Sequence, residues 1–140
     1  MYQDLLLATD GSDGARRATR HAVALANGLE ATLHVMSVSE EGPHSTERRD
    51  EMRTDHEGEA ADAVEEAKAT AAEADLEVTT TIRRGVPQEE IVAVAEAERM
   101  DAIVVGTAGQ SGLDKLLLGS VAEEVVRNSP VPVVTVRERR

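Results

Sequence analysis

Gly106 and Gly109 have two residues between them, and nine residues further on come Gly119 and Ser120. Glycines let a backbone approach an anion closely, and the free N–H groups at a helix start point at one. The segment follows the apolar run Ala102-Ile103-Val104-Val105 and precedes Val121 to Val126, which reads as a helix. A buried strand, a glycine-punctuated loop and a helix N-terminus in that order suit the holding of phosphate. Ser120 offers a hydroxyl to the same anion. With Glu123 it also spells Ser-x-x-Glu, a capping box that would occupy the hydroxyl without any ligand. Thr9 and Asp10 end the first apolar run and fall at the equivalent place in the chain. Asp13 reads as a helix cap rather than a base.

Other chemistries are poorly served. There is no cysteine, so disulfides and thiolate chemistry are out. His21, His44 and His56 have no partner at metal-ligand spacing, and His34 reads as a packed, hydrogen-bonded strand residue, so no metal site is expected. Neither G-x-x-x-x-G-K-[ST] nor G-x-G-x-x-G occurs. Efficient phosphoryl transfer needs positioned cations and a group that orients the nucleophile, and neither stands out. The expectation is a binding protein with at most slow hydrolysis.

The elements that must position these residues follow from periodicity. Asp4 to Thr9 reads as a strand buried on both faces. Asp10 to Gly14 breaks it, and Ser12 or Asp13 caps a helix with Ala15, Ala18, Ala22, Leu25 and Leu29 inward and Asn27-Gly28 as its stop. Thr32 to Val38 is a second strand, and Ser39 to about Arg53 a polar, mobile surface loop. An alanine-rich helix follows, with Ala60, Val64, Ala67, Ala71 and Ala74 on one face. Glu77 to Ile82 reads as an edge strand. Pro87 opens a helix with Ile91, Val94 and Ala95 inward. Ala102 to Val105, a helix over Ser120 to Asn128, and a last strand over Val131 to Val136 complete the chain; Pro132 confines that strand to an edge or a strand start.

Five strands alternating with four helices predict a single α/β domain over residues 1–140, with a parallel, doubly wound sheet between two helical layers. With strand order 3-2-1-4-5, winding reverses between strands one and four. Open α/β sheets bind ligands in the crevice at that reversal. Asp10 and Gly106 would both stand at its mouth.

Composition bounds the partners. The net charge is −12, from 27 acidic and 15 basic residues, of which only Lys68 and Lys115 are lysines. A surface of this kind suits an extreme halophile, because the Debye length falls to about 3 Å at 1 M salt and self-repulsion is screened. The expected signature is a melting temperature that rises as KCl is added. Tyr2 is the sole aromatic residue and no basic face is evident, so nucleic-acid binding is not expected. No apolar run is long enough to span a membrane, and no signal peptide precedes Leu5, so a cytoplasmic location is expected.

These residues resemble the ATP-binding subgroup of the universal stress proteins. Gly106, Gly109, Gly119 and Ser120 meet that subgroup's glycine pattern in full. Further likenesses are Thr9-Asp10-Gly11-Ser12, Leu33-His34-Val35, Gly85-x-Pro87 and Pro130-Val131-Pro132-Val133. The resemblance implies that Thr9 and Asp10 lie near ribose and adenine, and that the Val35 backbone reads the adenine edge. It implies that Gly106, Gly109, Gly119 and Ser120 hold ribose and phosphates, with an N–H from Val121. It further implies a homodimer in which residues 131–136 pair antiparallel with the partner's copy. Such pairing would also cover an apolar edge.

Members of the family often carry a basic residue where this chain has Ala108 and Gln110. Their replacement removes positive charge from the phosphate region. Backbone N–H groups, Ser120, Lys115 and a bridging Mg or Mn ion would then hold the phosphates, and AMP or ADP fit as well as ATP. The resemblance implies a nucleotide-dependent switch in a stress response, acting on an unnamed protein partner. The alternative is a dimeric interaction module of the same fold without useful nucleotide affinity.

Overall fold

In the computed structural model, residues 1–40, 50–107 and 119–137 are described. Five parallel strands form one sheet in the order β3-β2-β1-β4-β5, as the sequence predicts. The strands are β1 (Asp4–Ala8), β2 (Thr32–Glu40), β3 (Val78–Gly85), β4 (Ala102–Gly106) and β5 (Val133–Val136). The helices are α1 (Asp13–Leu29), α2 (Asp50–Glu73), α3 (Pro87–Ala97) and α4 (Ser120–Asn128).

Alternation along the strands sorts the core into two layers. Leu5, Leu7, Leu33, Val35 and Val104 point one way and meet Ala18, Ala22 and Ala26 of α1 and Val64, Ala67 and Ala71 of α2. Leu6, Met36, Ile103 and Val105 point the other way, onto Ile91, Val94 and Ala95 of α3 and Ala122 and Val125 of α4. Leu5, Leu6 and Leu7 are all essentially inaccessible, and burying a leucine contributes about 1.5–3 kcal/mol. A run apolar at every position therefore serves both layers at once. The first two crossovers cover one face and the last two the other, so winding reverses between β1 and β4.

Several sequence boundaries move. In α1 the buried stripe is Ala15, Ala18, Thr19, Ala22, Val23 and Ala26, while Leu25 and Leu29 are 37% and 43% exposed. Alanines at the stripe let the helix sit close to the sheet, and this rotates the two leucines outward. The helix runs through Gly28 and ends at Glu30, whose left-handed φ of 56° lets its N–H reach the carbonyls of Ala26 and Asn27. β2 continues through Ser39 and Glu40 because β3 runs beside it, Ser39 pairing with Arg84 and Glu40 with Gly85. α2 begins at Asp50, not after Arg53; residues 41–49 of the expected loop lie outside the described residues. β5 begins at Val133, two residues later than expected, although the Pro132 carbonyl already accepts from Ile103 N at 2.9 Å.

Candidate functional site

At the carboxyl ends of β1 and β4 the chain must leave the sheet on opposite faces, and a cavity of about 430 Å³ opens between the departing segments. Thr9, Asp10, Gly106, Gly119, Ser120 and Val121 all line it. These six, distant in sequence, share one wall system because β1 and β4 are neighbours, with Leu5 paired to Ala102 and Leu7 to Val104.

The β1 exit is built by local hydrogen bonds. Asp10 Oδ1 accepts from Ser12 N at 2.9 Å, and Thr9 Oγ1 accepts from Gly11 N at 3.2 Å. Gly11 takes φ +80°, a left-handed conformation that turns the chain sharply into α1. Ser12 Oγ then accepts from Ala15 N at 3.2 Å and caps the helix; Asp13, the other candidate cap, instead pairs with Arg16 at 3.0 Å.

The β4 exit differs. Gly106 packs so tightly on α1 that an added Cβ would lie 2.6 Å from the carbonyl oxygen of Gly14. This glycine is required by helix–strand packing, whatever else it contacts. Downstream, the Thr107 carbonyl accepts from Gly119 N, and Thr107 N donates to the Val136 carbonyl at 3.1 Å, which ties the start of α4 to β4 and β5. Gly119 becomes the N-cap of α4 and makes no side-chain cap bond. The expected Ser120–Glu123 capping box is therefore absent. Ser120 is the first helical residue, and Glu123 pairs with Arg127 at 3.2 Å. The helical ladder begins with Glu123 N donating to the Gly119 carbonyl at 2.9 Å. The N–H groups of Ser120, Val121 and Ala122 precede that ladder at the positive end of the helix dipole, and all three residues line the cavity.

Val35 does not line the cavity. It pairs with Leu7, one rung inside the sheet, and is 1% exposed between β2 and the α1–α2 layer. β1 ends at Ala8, which pairs with Met36, so the β2 residues that reach the cavity are Met36, Ser37 and Val38. Gly109, Ala108, Gln110 and Lys115 lie outside the described residues. Residues absent from the sequence-based site also contribute: Met36, Val38, Pro87 and Ile91 give an apolar floor, and Glu40 and Glu59 add carboxylates. Pro87 at the first position of α3 was the available signal, since it brings that helix start to the same end of the sheet. Among the described lining residues, Asp10, Glu40 and Glu59 carry charge, and none is lysine, arginine or histidine. No cluster of metal-ligating side chains occurs among the described residues, and no described helix is long and apolar enough to cross a membrane.

Residues 1–137 match the profile of the universal stress protein family. The chain belongs to that family. A universal stress protein of Methanocaldococcus jannaschii is 34% identical over 145 residues, covering 99% of this chain and 84% of that protein. One from Bacillus subtilis is also 34% identical, covering 98% of this chain and 100% of the relative. Among solved structures, a second Methanocaldococcus jannaschii protein superposes with a TM-score of 0.85 at 32% identity, over 100% of this chain and 99% of that one. A universal stress protein solved in complex with cAMP superposes with a TM-score of 0.77 at 28% identity, over 99% of both chains. The sheet order is thus that of a universal stress protein fold.

Proposed function

We propose that this universal stress protein binds an adenine nucleotide, ATP or equally AMP or ADP, in the cleft between β1 and β4. The observation that carries the reading is the N-terminus of α4, which has a glycine at its cap and no side-chain cap bond among the described residues. Ser120, Val121 and Ala122, the first residues of that helix, line a cavity of about 430 Å³, within the usual range for small-molecule sites. The residues fit the ligand's parts. Met36, Val38 and Ile91 offer apolar contact to a base, Asp10 accepts from a ribose hydroxyl, and α4 with Ser120 receives phosphate. Gly109 belongs to the same site by its place in the glycine pattern. A bridging Mg or Mn ion would supply positive charge to the phosphates. The structural relative solved with cAMP supports an adenine nucleotide as the ligand class.

In this reading the protein is a cytoplasmic, nucleotide-dependent switch in a stress response, acting on a protein partner, with at most slow hydrolysis. It works as a homodimer through its last strand. β5 pairs with β4 alone among the described strands, and Val134 is 38% exposed along it; an unpaired apolar edge of this kind is commonly covered by a second copy. Light scattering tests the dimer: Val134→Lys should give a monomer, and a wild-type monomer would reject it. Calorimetric titration with ATP and Mg²⁺ in molar KCl tests the ligand. Sub-millimolar binding is expected. The acidic lining favours one competing reading, an interaction module without nucleotide affinity, and absence of heat with every adenine nucleotide would establish it.

A further inference from the structure

We infer that Thr79 is a nucleophilic modification site. Its hydroxyl takes an acyl group from an ester with a good leaving group, with His34 as general base and Asp4 as the residue that positions His34.

The three side chains come from three adjacent strands, at the end of the sheet away from the cleft. Register sets them in a row. His34 on β2 stands beside Leu6 of β1 on one side and Thr79 of β3 on the other, and Asp4 shares a face with Leu6, two residues on. Nε2 of His34 lies 2.9 Å from Asp4 Oδ1, and Nδ1 lies 2.6 Å from Thr79 Oγ1. An ionised carboxylate can only accept, so in the neutral ring Nε2 carries the proton. Nδ1 is then left as the acceptor, and the Thr79 hydroxyl donates to it. Asp4 is itself held, because its backbone N–H donates to the Asp101 carboxylate at 2.9 Å. A hydroxyl, a base and a group that orients the base form the arrangement that activates a nucleophile.

Thr79 is exposed, so a donor can reach it from solvent. β3 pairs with β2 alone among the described strands. Alternate N–H groups along its outer edge therefore remain outside the ladder and offer donors to a developing oxyanion. In the reaction Thr79 Oγ1 bonds to the acyl carbon as its proton passes to His34 Nδ1. The bond from that carbon to the leaving oxygen breaks, and the imidazolium returns the proton to that oxygen or to water. Asp4 stabilises the imidazolium in between. The products are an ester on Thr79 and the free alcohol, and nothing is oxidised or reduced. Thr80 and Thr81 follow on the same strand and are also exposed, but they stand beside Val35 and Met36 rather than a histidine. They are a comparison built into the chain.

The test incubates the full chain with p-nitrophenyl acetate near neutral pH, quenches in acid and maps the acetylated residues by mass spectrometry. The acetyl ester is expected on Thr79 and not on Thr80 or Thr81. That comparison needs no substitution and so cannot be lost to misfolding. In His34→Gln, which can still hydrogen-bond but is no base, acetylation of Thr79 should slow about a hundredfold, a usual contribution of general-base catalysis. Asp4→Asn should slow it too, with the melting temperature unchanged. Acetylation of Thr79 no faster than that of Thr80 and Thr81, or unaltered in His34→Gln, overturns the inference. A lowered melting temperature with Thr79 acetylation retained in Asp4→Asn overturns the positioning role of Asp4.

Discussion

Two helix N-termini border the same cleft, and they are finished differently. That of α1 is closed by the chain itself: Ser12 caps Ala15 N, Asp13 stands in the first turn beside the dipole, and Gly14 lies against Gly106. That of α4 has a glycine at the cap and, among the described residues, no side-chain cap bond; Ser120 follows as the first helical residue. Free N–H groups at a helix start are costly to leave without a partner. On the proposed reading the capped terminus of α1 is structural and that of α4 receives the ligand. Substitutions at the two ends should accordingly separate stability from binding.

The largest effect should come from the contact between the two exits. Gly106→Ala puts a Cβ 2.6 Å from a backbone oxygen and 2.7 Å from a backbone carbon of Gly14, and neither can rotate away. Overpacking of this kind costs about 3 kcal/mol, and chemical denaturation should show it without any nucleotide present. A denaturation midpoint equal to the wild type's would mean that α1 does not rest on this glycine. Ser120→Ala comes next, and its effect should fall on binding. A hydrogen bond to a charged phosphate contributes about 1.5–3 kcal/mol, so nucleotide affinity should fall roughly tenfold or more. The melting temperature of the free protein should stay unchanged, because the hydroxyl caps nothing. A fall in free-protein stability would show that Ser120 acts as a cap after all. At the closed terminus, Ser12→Ala should lower stability by about 1 kcal/mol, the usual worth of an N-cap, and urea titration of the free protein measures it.

The contrast between the termini was only half legible in the sequence. The apolar runs of β1 and β4, the glycine pattern and the place of Asp10 marked the cleft, because those signals are local. Ser-x-x-Glu left a capping role for Ser120 open beside a ligand role, because the motif describes the chemistry of a cap but not which residue becomes one. The helix spans Ser120 to Asn128 as expected, and the tertiary bond from Gly119 N to the Thr107 carbonyl accompanies Gly119, not Ser120, at its cap. Which β2 residues line the cleft, Met36 to Val38 rather than Val35, depends on how far β2 runs beyond β1, and that register is set by pairing partners. The length of β3 was missed for the same reason: its last residues, Arg83 to Gly85, are strand only because Val38 to Glu40 lie beside them. Leu25 and Leu29 satisfied helical periodicity, but three alanines at 0% exposure decided how α1 sits on the sheet.

The opposite end of the sheet sharpens the comparison, since there too side chains of the protein take up exposed backbone donors. The Asp101 carboxylate accepts from Asp4 N and Gln3 N, each at 2.9 Å, and joins the starts of β4 and β1. Nearby, His34 bridges the strands, with Nε2 2.9 Å from Asp4 Oδ1 and Nδ1 2.6 Å from Thr79 Oγ1. The N–H groups of Asp4 and then Gln3 hold the Asp101 carboxyl below its ordinary value of 3.8. A depressed carboxylate contributes stability above its unfolded value and loses it as pH falls through the folded one. The stability gap between wild type and Asp101→Asn should therefore be constant at neutral pH and close progressively below about pH 4. Thermal melts at a series of pH values measure it, and the effect should be the smallest of the four because the carboxylate is solvent-accessible. Nucleotide affinity should not follow the gap, since Asp101 lies at the far end of β4 from Gly106. A gap that persists unchanged into acid would mean that geometry, not charge, joins the two strands. Affinity that falls with Asp101→Asn would mean that the two ends of the sheet are coupled, and the division between closed and open termini would then be one of degree.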